Sequence, residues 1–208
     1  MFKSGNHQPG VIVKRENGQR RLVATQPFAP DADRLILHEA PVISAPEPYA
    51  PSYRAWLMVC QILVEPVKLR WFTGKHFAVT RQPWDAEDQS FAKQIQAACG
   101  SDPPATQALY FSVVTNHLAF WDASGAKVGS GLFETLCFTN HSCAPNSMTA
   151  PLIGHLGTAL FAIKPIAPGE EITWNYLSSI DISRLPFFDR QKWIQEEFQF
   201  QCQCIRCR

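Results

Sequence analysis

The chain has 208 residues, a formal net charge of +1, and 46% hydrophobic against 18% charged residues. At about 100–200 residues per domain, this is room for one compact domain with a small appendage. Composition excludes collagen-like and low-complexity chains, and no apolar run approaches the roughly 18–20 residues of a membrane span.

The charge balance argues against direct nucleic-acid binding, which needs a basic surplus to neutralise phosphates. A local surplus exists in residues 1–30, where Lys3, Lys14, Arg15, Arg20 and Arg21 face Glu16 alone. It reads as a solvated basic arm. Met1-Phe2-Lys3-Ser4-Gly5-Asn6-His7 is followed by no long apolar stretch, so an intracellular chain is expected, in cytoplasm or nucleus. In that compartment seven cysteines point to metal or thiol chemistry rather than disulfides.

Taken in order, residues 1–20 are polar and mixed, and 1–17 read as a loosely held N-terminal arm. Residues 21–25 and 34–39 read as short strands, with Pro27, Pro30, Asp31 and Asp33 as turn residues between them. Pro41, Pro46, Pro48 and Pro51 make 41–51 an extended connector. Ser52 caps a helix carrying Trp56, Val59, Cys60 and Leu63 at helical spacing, and Pro66 ends or kinks it. A second helix runs from about Asp85 to Cys99, with Phe91, Ile95 and Ala98 on one face and Gly100 as its stop. A third starts near Pro104 and carries Leu109 and Val113. Residues 146–150, 158–163 and 171–174 read as strands, with a Pro168-Gly169 turn between the last two. A final helix spans roughly Pro186 to Phe198. Short strands interrupted by a helical block, about 52–120, indicate an α+β class.

Cys202, Cys204 and Cys207 form a C-x-C-x-x-C run. Zinc favours four thiolates in a tetrahedron, and three cysteines this close supply three corners. Cys143, in the polar bend of His141, Ser142, Pro145 and Asn146, is the best candidate for the fourth. Such a closed site would be structural. The alternatives are a frayed tail of reduced thiols and an iron–sulfur cluster, whose known runs are spaced differently.

Asn140-His141-Ser142-Cys143-Ala144-Pro145-Asn146 resembles the N-H-S-C-x-P-N signature of SET-domain methyltransferases. Gly169-Glu170-Glu171-Ile172-Thr173-Trp174-Asn175-Tyr176 resembles that family's G-E-E-[LI]-T-x-[DN]-Y signature. The Cys202–Cys207 run looks like the post-SET zinc segment, whose fourth ligand by resemblance is Cys143. Residues 21–43, Thr115-Asn116 and Gly131-Leu132-Phe133 look like the SMYD branch, but no MYND zinc-finger pattern is present: Cys60 and Cys99 are too few and too far apart. With the sequence ending after the Cys202–Cys207 run, no C-terminal helical domain like that of longer relatives is expected. The resemblance implies a SET fold of short β-sheets with knot-like C-terminal threading. It divides the chain into an arm (1–17), a SET domain (18–180, with the insertion) and a post-SET helix and zinc tail (181–208).

The family implies methyl transfer from S-adenosylmethionine to an amine, usually a lysine. Tyr176 would be the catalytic tyrosine and would also contact the cofactor. Asn140 and His141 would bind the cofactor largely through backbone groups, Asn116 less securely, and Phe200 would stack on its adenine. Phe120, Tyr176 and Phe198 would line an aromatic substrate channel. Two departures stand out. The N-terminal G-x-G-[LF] of many relatives is replaced by Gln19-Arg20-Arg21-Leu22, with Gly18 out of register: either Arg20 and Arg21 take the cofactor-binding place, or the site is weakened. Phe198 stands where SMYD-like relatives often carry Tyr, which implies room for multiple methylation.

The expected function is therefore an S-adenosylmethionine-dependent protein lysine methyltransferase with one structural zinc. A SET enzyme for a small-molecule amine or free amino acid is the alternative, and a non-catalytic SET binding module is another. A protein, peptide or amine substrate is the expected partner, with no nucleic acid and no membrane, and the expected state is a monomer.

Overall fold

The computed structural model describes residues 10–16, 19–32, 34–75, 86–100, 103–177 and 184–208. Lys3, Gly18, Asp33, Asp85 and the side chains of Phe91, Ala98 and Cys99 lie outside the described residues. In chain order the elements are β1 (Val11–Glu16), β2 (Gln19–Ala24), β3 (Leu35–Glu39), β4 (Ile43–Pro46), α1 (Pro51–Val64), α2 (Pro66–Lys75), α3 (Ala86–Cys99) and α4 (Pro103–Asn116). There follow β5 (Leu118–Trp121), β6 (Lys127–Leu132), a short 3-10 turn (Leu136–Phe138), β7 (Asn140–His141), β8 (Ser147–Ala150), β9 (Thr158–Ala162), β10 (Thr173–Trp174) and α5 (Phe187–Phe198). Among the described residues, no helix is long and apolar enough to cross a membrane.

Ser52 does not cap the first helix, which already opens at Pro51 behind Ala50 with no side-chain cap bond. Four segments also differ from the expectation. Residues 11–16, read as part of a loose arm, form β1, because the β-branched Val11-Ile12-Val13 run finds a partner in β2. The register sets Lys14 opposite Arg21 and Arg15 opposite Arg20. Like charges facing each other cost stability, and at Arg21 this is offset by Glu16 at 3.2 Å and Glu171 at 3.8 Å. Pro66 does not merely end a helix; it opens α2, since proline is well suited to a first helical position. Glu65 before it is forced to extended backbone (φ −117°, ψ 101°), which separates α1 from α2. The proline-flanked connector contains β4, paired with β6 from Ile43↔Leu132 to Pro46↔Gly129. Residues 118–121, at the end of the stretch read as helical, form β5.

The chain divides into two compact units, described separately: Met1–Ala40, Asp122–Gly125 and Glu134–Arg208 form one, and Pro41–Trp121 with Ala126–Phe133 the other. The second holds α1–α4 and the sheet β4-β6-β5. In it α1 packs against β4, α2, α3 and α4. Its core gathers Ile43, Trp56, Met58, Val59, Ile62, Tyr110, Val113 and Leu132. The Trp56 and Tyr110 rings are stacked with centroids 4.2 Å apart. Gly129 is required in central β6: a Cβ there would strike the Ala45 carbonyl oxygen and the Phe120 ring.

In the first unit β9 lies between β3 and β8, and β7 pairs in parallel with β10, Asn140↔Thr173 and His141↔Trp174. The 169–172 turn closes against β2 through Ala24 N–H to Glu170 O (3.0 Å) and Ile172 N–H to Leu22 O (2.8 Å). Asn146 fastens the two signature segments together. Its amide nitrogen donates to Glu170 Oε1 (3.1 Å) and Glu171 O (2.9 Å), and its Oδ1 accepts from Thr173 N–H (2.8 Å).

Candidate functional site

The β7–β10 pair carries the site. Thr173-Trp174 runs beside Asn140-His141, and Ser142 N–H donates to Trp174 O at 3.0 Å, so the chain entering Cys143 is held against the chain leading to Tyr176. Tyr176 is held at both ends. Its backbone N–H donates to His141 Nδ1 at 3.1 Å, and its hydroxyl donates to the Thr139 carbonyl at 3.0 Å. Burial pushes the phenol pKa up, with further increments from Cys137 and Glu171, so the hydroxyl stays protonated at neutral pH. Burial pulls His141 down to about 4, keeping the imidazole neutral.

Aromatic rings surround the phenol. Phe198 lies 4.9 Å away between ring centroids, His141 5.3 Å, Trp174 5.4 Å and Phe200 6.4 Å. The placement of Phe198 and Phe200 depends on Gln199. That residue ends α5 in the left-handed region (φ 59°), its N–H bonded to Gln195 O, and turns the chain back so that Phe200 meets His141 at 6.0 Å.

Beyond Phe200 the four sulfurs converge. Cys143, Cys202, Cys204 and Cys207 Sγ all lie within 4.8 Å of one another, with Cys143 to Cys202 at 3.8 Å and Cys143 to Cys207 at 3.6 Å. A tetrahedron with metal–sulfur bonds of about 2.3 Å has sulfur edges of about 3.8 Å. The cluster therefore fits a closed four-thiolate metal site. Burial, reinforced by the neighbouring thiols, pushes the Cys143 thiol up, and a central cation reverses that by favouring thiolates. Gln191 pins the tail to α5 by a paired contact: Nε2 to Cys202 O at 2.8 Å and Cys202 N–H to Oε1 at 3.0 Å. Buried Arg190 donates to Leu185 O, Arg206 O and Cys207 Sγ.

The remaining expected site residues fall as follows. Asn140 Nδ2 donates to Arg20 O (2.9 Å) and Glu171 Oε1 (2.8 Å), so its side chain joins β2, β7 and the 169–176 segment. Arg20 lies over the Phe138 ring at 5.2 Å, while Arg21 is taken up by Glu16 and Glu171. Asn116 and Phe120 belong to the second unit. There Asn116 donates to Ser112 O (2.8 Å) at the end of α4, and Phe120 is buried on β5 over Gly129. Sequence reasoning missed Thr139, Glu171, Arg190 and Gln191. Glu171 and Asn146 lay inside quoted motifs without a role, whereas a carbonyl such as that of Thr139 has no side-chain signal at all.

Thr139 Oγ1 is buried with no hydrogen-bond partner among the described residues. A buried hydroxyl left unpaired costs free energy, and this one sits on the residue that holds the phenol.

Comparison with known proteins agrees with this geometry. The SET domain family model matches residues 19–177. The chain is 30% identical over 136 residues to the mouse (Mus musculus) histone-lysine N-methyltransferase SMYD3, covering 64% of this chain and 29% of that protein. Against the human (Homo sapiens) SMYD3 the identity is 32% over 122 residues, 58% of this chain and 27% of the relative. Against the mouse protein-lysine N-trimethyltransferase SMYD5 it is 37% over 79 residues, 38% and 19%. The chain thus spans less than a third of the length of these curated relatives. The matched span takes in β2, both signature segments and Tyr176, and the chain belongs to the SET domain family.

Proposed function

We propose that this chain is an S-adenosylmethionine-dependent N-methyltransferase acting on protein lysine, with one structural zinc. The observation that carries the reading is the fixation of Tyr176 by His141 and Thr139 inside an aromatic wall, on a SET fold. The names of the relatives, histone-lysine and protein-lysine methyltransferases, support a protein substrate. Four sulfurs at tetrahedral spacing support zinc.

S-adenosylmethionine supplies an electrophilic methyl group when bound. Everything else falls to the chain. Phe200 offers a flat apolar face for a purine ring. Phe198 and Trp174 exclude water around the phenol. A free lysine has a pKa of about 10.4, and a desolvated aromatic channel favours its neutral, nucleophilic form. The Tyr176 hydroxyl, itself protonated, orients the acceptor amine. Most of the acceleration on this reading comes from orientation and preorganised electrostatics. Phe198 leaves one wall without a hydroxyl, which supports more than one methyl transfer per lysine.

The first measurement is calorimetric titration of the zinc-loaded chain with S-adenosylmethionine, followed by mass spectrometry of lysine peptides and free amines. One-to-one binding and methylated peptide are expected. Methylation confined to free amines would move the substrate class to small molecules, and absence of binding in the folded, metal-loaded chain would overturn the enzyme reading. Tyr176→Phe should lower turnover by at least about 100-fold, the scale of removing one oriented polar group from a site, while cofactor affinity stays near wild type. Full-speed turnover would remove Tyr176 from the chemistry.

A further inference from the structure

His141 stands between two features that the proposed function treats separately. On one side its Nδ1 lies 3.1 Å from the Tyr176 backbone N–H. On the other its Nε2 lies 3.3 Å from Cys143 Sγ. A backbone N–H can only donate, so Nδ1 must be the acceptor and carries no proton. The neutral ring then bears its proton on Nε2, aimed at the sulfur. Such a donor suits a metal-bound thiolate, whose remaining lone pairs accept hydrogen bonds.

We infer that His141 is a positioning residue that ties the four-cysteine metal site to the backbone of Tyr176. Three facts make the tie stiff. The ring is buried. It packs against both Tyr176 and Phe200. Its own backbone is fixed by the parallel pairing with Trp174. The path is short: one sulfur, one imidazole, one amide. The far end of Tyr176 is anchored separately, by the Thr139 carbonyl. Losing the metal lets Cys143 move, which slackens the imidazole and frees the tyrosine at its backbone end while the phenol contact remains. Arg190 also donates to a cluster sulfur, Cys207, and interacts with Cys143, and it bonds the Leu185 and Arg206 carbonyls. It serves as a control that touches the cluster and not the tyrosine.

The inference rests on the metal reading of the cysteine set, and the test keeps the two apart. The full chain is loaded with NMR-active cadmium in place of zinc. If no cadmium is taken up, the metal reading fails and the coupling falls with it. If cadmium binds, a scalar coupling between the metal and the His141 Nε2–H is expected, transmitted through the hydrogen bond to the thiolate. Cadmium bound by the four cysteines without that coupling overturns the inference alone, and this result needs no variant.

Two variants then split the tie. An Asn side chain places an acceptor near the Nδ1 position but cannot reach Cys143. A Gln side chain reaches the sulfur with an N–H but leaves the Tyr176 amide without its acceptor. His141→Asn should shift the cadmium resonance and raise the metal dissociation constant roughly 10–100-fold, the usual scale for an outer-shell partner. Its Tyr176 amide should exchange as slowly as in wild type. His141→Gln should keep the cadmium resonance and expose the Tyr176 amide to fast exchange. Arg190→Gln should weaken the metal with the Tyr176 amide still protected in the loaded state. Identical cadmium spectra in wild type and His141→Asn, or an unprotected Tyr176 amide in loaded wild type, would overturn the tie.

Discussion

In the helical unit, stability comes from apolar side chains meeting one another. Trp56 lies flat against Tyr110, and residues from Ile43 to Leu132 close around them in one continuous buried cluster. At the C-terminal end of the other unit the corresponding cluster is small: Leu177 and Ile194 are buried beside Cys143 and Cys202, with Phe198, Phe200 and the remaining cysteines packed on them. So few apolar groups bury too little surface to hold a tail in place. The difference teaches why this region carries four thiols, a buried arginine and a glutamine that bonds a backbone twice. Where the hydrophobic core runs out, directed hydrogen bonds and, on the proposed zinc reading, a metal take over.

The largest test of this contrast is metal removal. Binding at structural zinc sites is on the order of 10–16 kcal/mol in zinc-finger peptides, and that energy is folding energy. Chelation of the full chain should strip hydrogen-exchange protection from α5 and residues 199–207, while α1 and α4 keep theirs. Undiminished protection in the tail would mean that its few apolar contacts suffice. Next in size is Trp56→Ala, which removes a fully buried indole from the helical core and should cost about 3–5 kcal/mol by denaturant titration. The folded fraction should keep one metal per chain; loss of metal would blur the division between the two modes of stabilisation. Smaller again is Gln191→Leu. It deletes both bonds to the Cys202 backbone and leaves a buried N–H unpaired, a cost of about 1–3 kcal/mol. The check is a faster metal dissociation rate, and an unchanged rate would relegate Gln191 to ordinary packing.

The smallest effect is pH-dependent. Burial, then the neighbouring His155 ring 5.3 Å away, lowers the His38 pKa below 6.5. The unfolded chain therefore takes up this proton at higher pH than the folded one. Its contribution favours the fold above that value and is lost as pH falls through and below 6.5. His38→Gln should flatten the acid-side loss of stability seen in denaturant midpoints. An unaltered slope would assign that loss to other groups.

Much of the site was legible because its chemistry is written in side chains at fixed spacing. The C-x-C-x-x-C run, Cys143 and Tyr176 all lie in short motifs, and α3 and α5 begin within a residue of their expected starts. What was not legible depends on partners distant in sequence. Nothing within residues 11–16 announces β2, and nothing in the proline-flanked segment 41–51 announces that β6 will pair with it. Gly129 and Gly131 look like strand breakers until β4 and β5 are seen flanking them. The Thr139 carbonyl and the paired contact of Gln191 were invisible for a different reason: a backbone acceptor leaves no trace in composition, and one glutamine on a helix resembles any other.

The left-handed residue Gln199 carries a consequence for how this chain can vary. Phe198 before the turn and Phe200 after it are half-buried against the small cluster and Cys202 is buried, whereas Gln201, Gln203 and Ile205 are exposed. The stretch is a ruler: its length sets whether the aromatic wall and the sulfur tetrahedron form together. Gaining or losing a single residue between Phe198 and Cys202 would satisfy one at the expense of the other. Identity at the exposed positions is free to drift, and length is not.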